Sequence, residues 1–132
     1  MIMGDLVKMM SNMDMFVSSG AVDDNLIKEA EERLGLKFAD EYREYVLAYG
    51  TASYYGHELT GICEGDDSVS VVSVTIAERP YFTNISKEWY VIEQTHVDGI
   101  VIWQDVNGCI YKATPRSVTK ICNSLKEYVA AG

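Results

Sequence analysis

Residues 25–61 read NLIKEAEERLGLKFADEYREYVLAYGTASYYGHELTG, and this stretch decides the fold. Leu26, Ile27, Ala30 and Leu34 recur at helical spacing, while Lys28, Glu29, Glu31, Glu32 and Arg33 fill the other positions. The segment therefore predicts an amphipathic helix with one wet face and one dry one. Asp23 or Asp24 is placed to accept from the orphan amide protons of the first turn, and Gly35 to close the helix in a left-handed conformation. A second helix is predicted from Asp40, read as its cap, to Gly50, which terminates it. Its stripe of Phe38, Tyr42, Tyr45, Val46 and Tyr49 is unusually aromatic, and each buried ring withdraws roughly 150–250 Å² from water. The pair is thus expected to nucleate the core. Thr51-Ala52-Ser53-Tyr54-Tyr55-Gly56 follows as a turn-rich link whose tyrosines either pack or face a partner, and residues 59–63 read as a first strand.

Outward from this stretch, residues 1–17 hold all six methionines, with Leu6, Met9, Met10, Met13, Phe16 and Val17 on one helical side. They predict a first helix laid over the core edge, broken at Ser18-Ser19-Gly20. A membrane-surface helix would want basic residues opposite, and Lys8 stands alone. Residues 68–79, SVSVVSVTIAER, favour a strand by propensity, yet Val69, Val72 and Ile76 suit a helix face; we read a helix, ended by Pro80. Residues 89–94 and 99–104 are β-branched and aromatic, and are expected to pair across a turn at 97–99. Asn107-Gly108 is the strongest hairpin signal, because both positions tolerate positive φ, and residues 109–113 return as the next strand. Pro115 interrupts, 117–121 adds an edge strand, and Asn123 or Ser124 caps a last helix carrying Leu125, Tyr128 and Val129. The expected architecture is one α+β domain over residues 1–132, an antiparallel meander of about four to six strands with helices on one face.

The run Ile27-x-x-x-Glu31-x-x-Leu34-Gly35-x-x-Phe38-Ala39-x-x-Tyr42-x-x-Tyr45-Val46-x-x-x-Gly50, followed by Leu59-x-Gly61, resembles the signature of the SUKH superfamily. That group includes bacterial immunity proteins and a fungal cell-wall-synthesis regulator. Ala39 stands where the family pattern has proline, so the second helix loses a preset φ at its start. The resemblance implies the α+β fold, and it implies that the acid at Glu31 fixes its helix against neighbouring backbone. Its residues are mostly structural, so it speaks for fold before activity.

The net charge of −9 disfavours sequence-independent binding to nucleic acid or anionic membrane, both of which need a positive surface. The distribution says more. From Glu44 to Glu78 there is no lysine or arginine, while Glu44, Glu58, Glu64, Asp66, Asp67 and Glu78 are negative. Lys112, Arg116, Lys120 and Lys126 make the C-terminal part mildly basic by contrast. No apolar run approaches the roughly 20 residues of a membrane-spanning helix. The N-terminus lacks the charged-then-apolar order of a secretory signal, and the expected location is cytoplasmic. Cys63, Cys109 and Cys122 have no metal or redox spacing and read as reduced thiols in small apolar positions.

No catalytic constellation emerges. His57-Glu58 with Cys63, then His96-x-Asp98, are the best metal candidates, and each reads as a loop histidine beside an acid. Ser70 and Ser73 lack a nucleophile elbow, and no glycine-rich phosphate loop is present. No cofactor and no metal are expected. The resemblance to the SUKH superfamily implies an immunity protein that binds and neutralises a cognate bacterial toxin, a nuclease or other nucleic-acid-modifying enzyme, and an acidic inhibitor would do so by competing for a basic phosphate-binding cleft on the toxin domain. Glu58, Glu64, Asp66 and Asp67 are the expected docking acids, and Tyr54 and Tyr55 the aromatic anchors. Trp103 stands as anchor or core residue, with core packing favoured. The alternatives are a non-catalytic regulatory or scaffold module of the same fold, and a small enzyme built from scattered acids and tyrosines. Self-association is left open.

Overall fold

The structure, a computed structural model, describes residues 4–131, so the first three residues of the expected N-terminal helix lie outside the described residues. The helices are α1 (Asp5–Ser11), α2 (Asp24–Leu34), α3 (Asp40–Tyr49), α4 (Val71–Glu78) and α5 (Leu125–Ala130). The strands are β1 (Val17–Ser18), β2 (Ala52–Tyr54), β3 (His57–Leu59), β4 (Tyr90–Gln94), β5 (Val101–Gln104), β6 (Ile110–Thr114) and β7 (Ser117–Cys122). They form one sheet in sequence order, each strand antiparallel to the next. The α+β meander is as expected, but it has seven strands. The additional ones, β1 and β2, are two and three residues long, too short to write an alternating pattern, and the strand expected over 59–63 is β3, displaced to His57–Leu59.

Helices α2 and α3 follow the sequence closely. The Asp23 carboxylate accepts from the Asn25 N–H at 2.8 Å, and Gly35 closes α2 in the left-handed region at φ 69°. Asp40 is not the cap of α3. Ala39 takes the capping position at φ −62° with no side-chain bond, and its N–H donates to the Tyr90 hydroxyl at 3.0 Å. That φ is the one a proline imposes, so the geometry usual in the family is kept without the ring. Gly50 and Gly61 meet backbone to backbone: a Cβ on Gly61 would sit 1.7 Å from the Gly50 carbonyl oxygen. Ile62 N–H donates to that oxygen at 3.0 Å, tying the end of α3 to the chain leaving β3.

The N-terminal expectation is corrected. Helix α1 stops at Ser11, Met15 turns the chain at φ 60°, and Val17 and Ser18 pair with Ser53 and Ala52 as the sheet edge. The helical reading of residues 68–79 is right over 71–78, and of its expected face Val69 and Val72 are buried but Ile76 is not. Val71, Val72, Val74 and Thr75 are buried, whereas Ile76 is 51% exposed.

The main core joins Ile27, Leu34, Phe38, Tyr42, Tyr45 and Val46 to Leu59, Tyr90, Ile92, Ile102, Ile110 and Leu125. A smaller cluster of Val74, Phe82, Val91, Val101, Trp103 and Ala113 lies on the opposite face, as alternation along β5 requires. Glu31, at 3% exposure, joins the helices. Its carboxylate accepts from the Phe38 N–H at 2.9 Å and from Arg43 Nη1 at 2.6 Å. The resemblance implied this anchoring role.

Candidate functional site

The acidic residues gather at the β1 end of the sheet. Tyr55 and Gly56, at φ 43° and 82°, make a two-residue turn between β2 and β3 with both positions in the left-handed region. Alternation then sends Ala52, Tyr54 and Leu59 inward, and lines up Val17, Ser53 and Glu58 as cross-strand partners on the outer face. Beside this row the chain loops over from Ile62. Asp66 caps a 3-10 turn (Asp67–Val69), accepting from Ser68 N–H at 3.1 Å and Ser68 Oγ at 2.5 Å.

Two shallow hollows open here. One of about 210 Å³ is bordered by Val17, Ser53, Glu58, Cys63, Asp66 and Val69. The other, about 400 Å³, is bordered by Ala21, Val22, Leu26, Ile62, Cys63 and Glu64. Glu58 and Asp66 therefore share a hollow, Glu64 borders the adjacent one, and Asp67 lies exposed at the start of the 3-10 turn. Glu58, Glu64 and Asp66 are also exposed, and among the described residues none of the four acids is in an ion pair. A positive partner would meet charges that no internal lysine or arginine has neutralised.

The expected aromatic anchors separate. Tyr55 is 53% exposed at the turn, but Tyr54 is 1% exposed and points into the core, so its ring offers no surface. Trp103 is fully buried, with the edge of Phe82 against it. The apolar residues that accompany Tyr55 at this end were missed: Met15 at 79% exposure and Val17 at 62%. The sequence reads both as part of the N-terminal helix, and only pairing with Ser53, distant in sequence, places Val17 on the outer face.

Beneath the outer face lies a polar cluster that sequence reasoning also missed. Glu93 on β4, 4% exposed, accepts from the Glu58 backbone N–H at 3.1 Å and from the Tyr128 hydroxyl of α5. His57 Nδ1 lies 3.0 and 3.1 Å from its two oxygens. His57 is thus a strand residue stacked on Tyr54 at 5.0 Å, not the loop histidine expected. Burial, then the Glu93 charge, pushes the Tyr128 and Tyr54 hydroxyls well above the usual phenol range. Both stay protonated, and Tyr128 serves as a donor. The cluster fastens α5 and the β2–β3 hairpin to the centre of the sheet, and so holds Glu58 in place. A lone carboxylate in the apolar run WYVIEQ was the available signal.

Among the described residues, no three His, Cys, Asp or Glu side chains come together as they would to hold a metal ion. The three cysteines are free and partly buried. Among the described residues, no helix is long and apolar enough to cross a membrane.

Comparison with curated proteins finds no match. A family model, SUKH_5, described as SMI1-KNR4 cell-wall, matches residues 3–131. That span takes in the α2–α3 pair, the Gly50–Gly61 contact and the whole meander, and on it the chain belongs to the SUKH family.

Proposed function

We propose that this protein works as an immunity protein, binding a basic toxin domain through the acidic β1 end of its sheet and performing no reaction itself. The observation that carries this reading is the set of Glu58, Glu64, Asp66 and Asp67: exposed, clustered around two hollows, and without an internal cation partner. Unneutralised charge on one side of a molecule steers an oppositely charged partner at long range, and a cleft built to hold phosphate carries the complementary sign. Met15, Val17 and Tyr55 add the apolar contact that charge alone does not supply.

The test is growth rescue. A basic candidate toxin domain, taken from the C-terminal part of a long polypeptide if a neighbouring gene encodes one, is expressed from a controlled promoter, with and without this protein. Survival only with this protein present is expected; equal toxicity in both cultures overturns the reading. The matched family's description, SMI1-KNR4 cell-wall, favours a second reading as a non-catalytic regulatory or scaffold module. A solitary gene, together with a wall-assembly defect on deletion, would favour that alternative.

A further inference from the structure

The two edges of the sheet differ. One ends in β1, a two-residue strand flanked by acids. The other ends in β7, six residues long, which pairs only with β6. An unpaired edge presents alternate N–H and C=O groups as a template for another strand. Natural sheets often shorten or cover such an edge, and the exposure of Ser117, Thr119, Lys120 and Ile121 shows that β7 is uncovered among the described residues. The charges carried on the β6–β7 hairpin itself are of one sign, with Glu127 of α5 near its Cys122 end and Asp105 bonded to Tyr111 beyond it. From residue 106 to residue 126 there is no aspartate or glutamate, in a chain whose net charge is −9. Lys112, Arg116 and Lys120 lie on this hairpin, and among the described residues none of them is in an ion pair. Lys112 faces Thr119 across the strands and Lys120 faces Tyr111, so the two cations stand on opposite faces of the sheet beside the open edge.

We propose that β7 receives an extended, acidic segment of a partner protein, added antiparallel as an eighth strand, with backbone bonds supplying the pairing and Lys120 and Arg116 selecting for carboxylates. This site lies at the far edge of the sheet from the acidic end, and does not depend on the immunity reading.

The experiment is an amide-resolved NMR titration of the full chain with three capped octapeptides: one alternating Thr and Glu, one alternating Thr and Lys, and the Glu peptide with alternate backbone N-methyl groups. The Glu peptide is expected to give saturable shifts centred on Ser117–Cys122 and to slow exchange there. Binding should be at least about tenfold weaker for the Lys peptide, for the N-methylated peptide and for the Lys120→Glu/Arg116→Glu variant. The absence of shifts at β7, equal shifts from the Lys peptide, or shifts confined to other strands would overturn the proposal. So would β7 amides already protected without peptide, with protection rising with protein concentration, since the edge would then be occupied by a second copy.

Discussion

Replacing Glu31 with alanine tests how the helix pair is held. The carboxylate is 3% exposed and carries two bonds of different kinds, one from the buried Phe38 N–H at 2.9 Å and one from Arg43 at 2.6 Å. Removing one member of a buried ion pair costs about 3–5 kcal/mol when the other is stranded in the interior. Arg43 is not stranded: its side chain is 25% exposed and its Nη2 keeps Asp24 at 3.0 Å. The charge contribution therefore falls below that range, to about 1 kcal/mol, while the orphaned Phe38 N–H adds about 1–3 kcal/mol. Together these give about 3 kcal/mol for Glu31→Ala. Glu31→Gln keeps an acceptor for Phe38 but sets its amide NH2 against the guanidinium, and should cost about half as much. Urea unfolding followed by circular dichroism reads both, at about 1–3 kcal/mol per molar of denaturant, so the alanine midpoint should fall by about 1–3 M. A loss below about 0.5 kcal/mol would refute the idea that Glu31 fixes the α2–α3 connection. Glutamine as costly as alanine would show that charge, and not the backbone bond, is what matters.

Three further changes probe the frame of the fold. Gly61→Ala places a Cβ 1.7 Å from the Gly50 carbonyl oxygen, so backbone must move; a loss of about 3 kcal/mol or more is expected in the same unfolding assay, and an unchanged midpoint would contradict the contact. Ala39→Pro suits φ −62° but drives a ring into the Tyr90 hydroxyl, which now accepts the Ala39 N–H at 3.0 Å. It should destabilise by about 1–3 kcal/mol, and less in a Tyr90→Phe background; additivity of the two changes would show that the hydroxyl is not the obstacle. Glu41 is held above the usual carboxyl range by burial, against the lowering effect of the Leu125 and Lys126 N–H groups it accepts from. The native state then binds this proton more tightly than the unfolded chain, so the associated stability is fully present below the ordinary carboxyl value and is lost as pH rises through the folded one. Wild type should therefore lose stability relative to Glu41→Gln as pH rises from the ordinary carboxyl value through the raised one, and parallel profiles would remove Glu41 as the cause.

The parts of the fold written locally were legible. Helix α2 carries its period, its Asp23 cap and its Gly35 stop within a dozen letters, and the Asn107-Gly108 turn marks the β5–β6 hairpin. Parts set by distant partners were not. Val17 continues the helical period of Met9 and Met13, and only pairing with Ser53 makes it a strand residue. The β2–β3 hairpin turns at Tyr55 with φ 43°, a conformation that tyrosine does not advertise. Helix α4 has the composition of a strand, yet Ser70 accepts from the Ser73 N–H and Thr75 Oγ1 accepts from the Val91 N–H. A helix buried between α2 and β4 can be apolar on more than one side, which is why its exposed residue, Ile76, was misassigned. For the candidate site, the run of acids was plain in the sequence. Which of two adjacent tyrosines faced out was a matter of strand parity, and parity is fixed by the hairpin register. Glu93 gave little warning because its partners His57, Glu58 and Tyr128 are 35 or 36 residues away.

The most direct test of the acidic end is the association rate of this protein with the basic toxin domain proposed as its partner, measured by stopped flow at low and high salt. Wild type is compared with Glu64→Lys/Asp66→Lys/Asp67→Lys, in which three exposed carboxylates become cations. The variant is expected to associate at least about tenfold more slowly at low salt, with a much flatter dependence on ionic strength. Equal rates and equal salt slopes for the two proteins would show that these carboxylates do not guide the partner in.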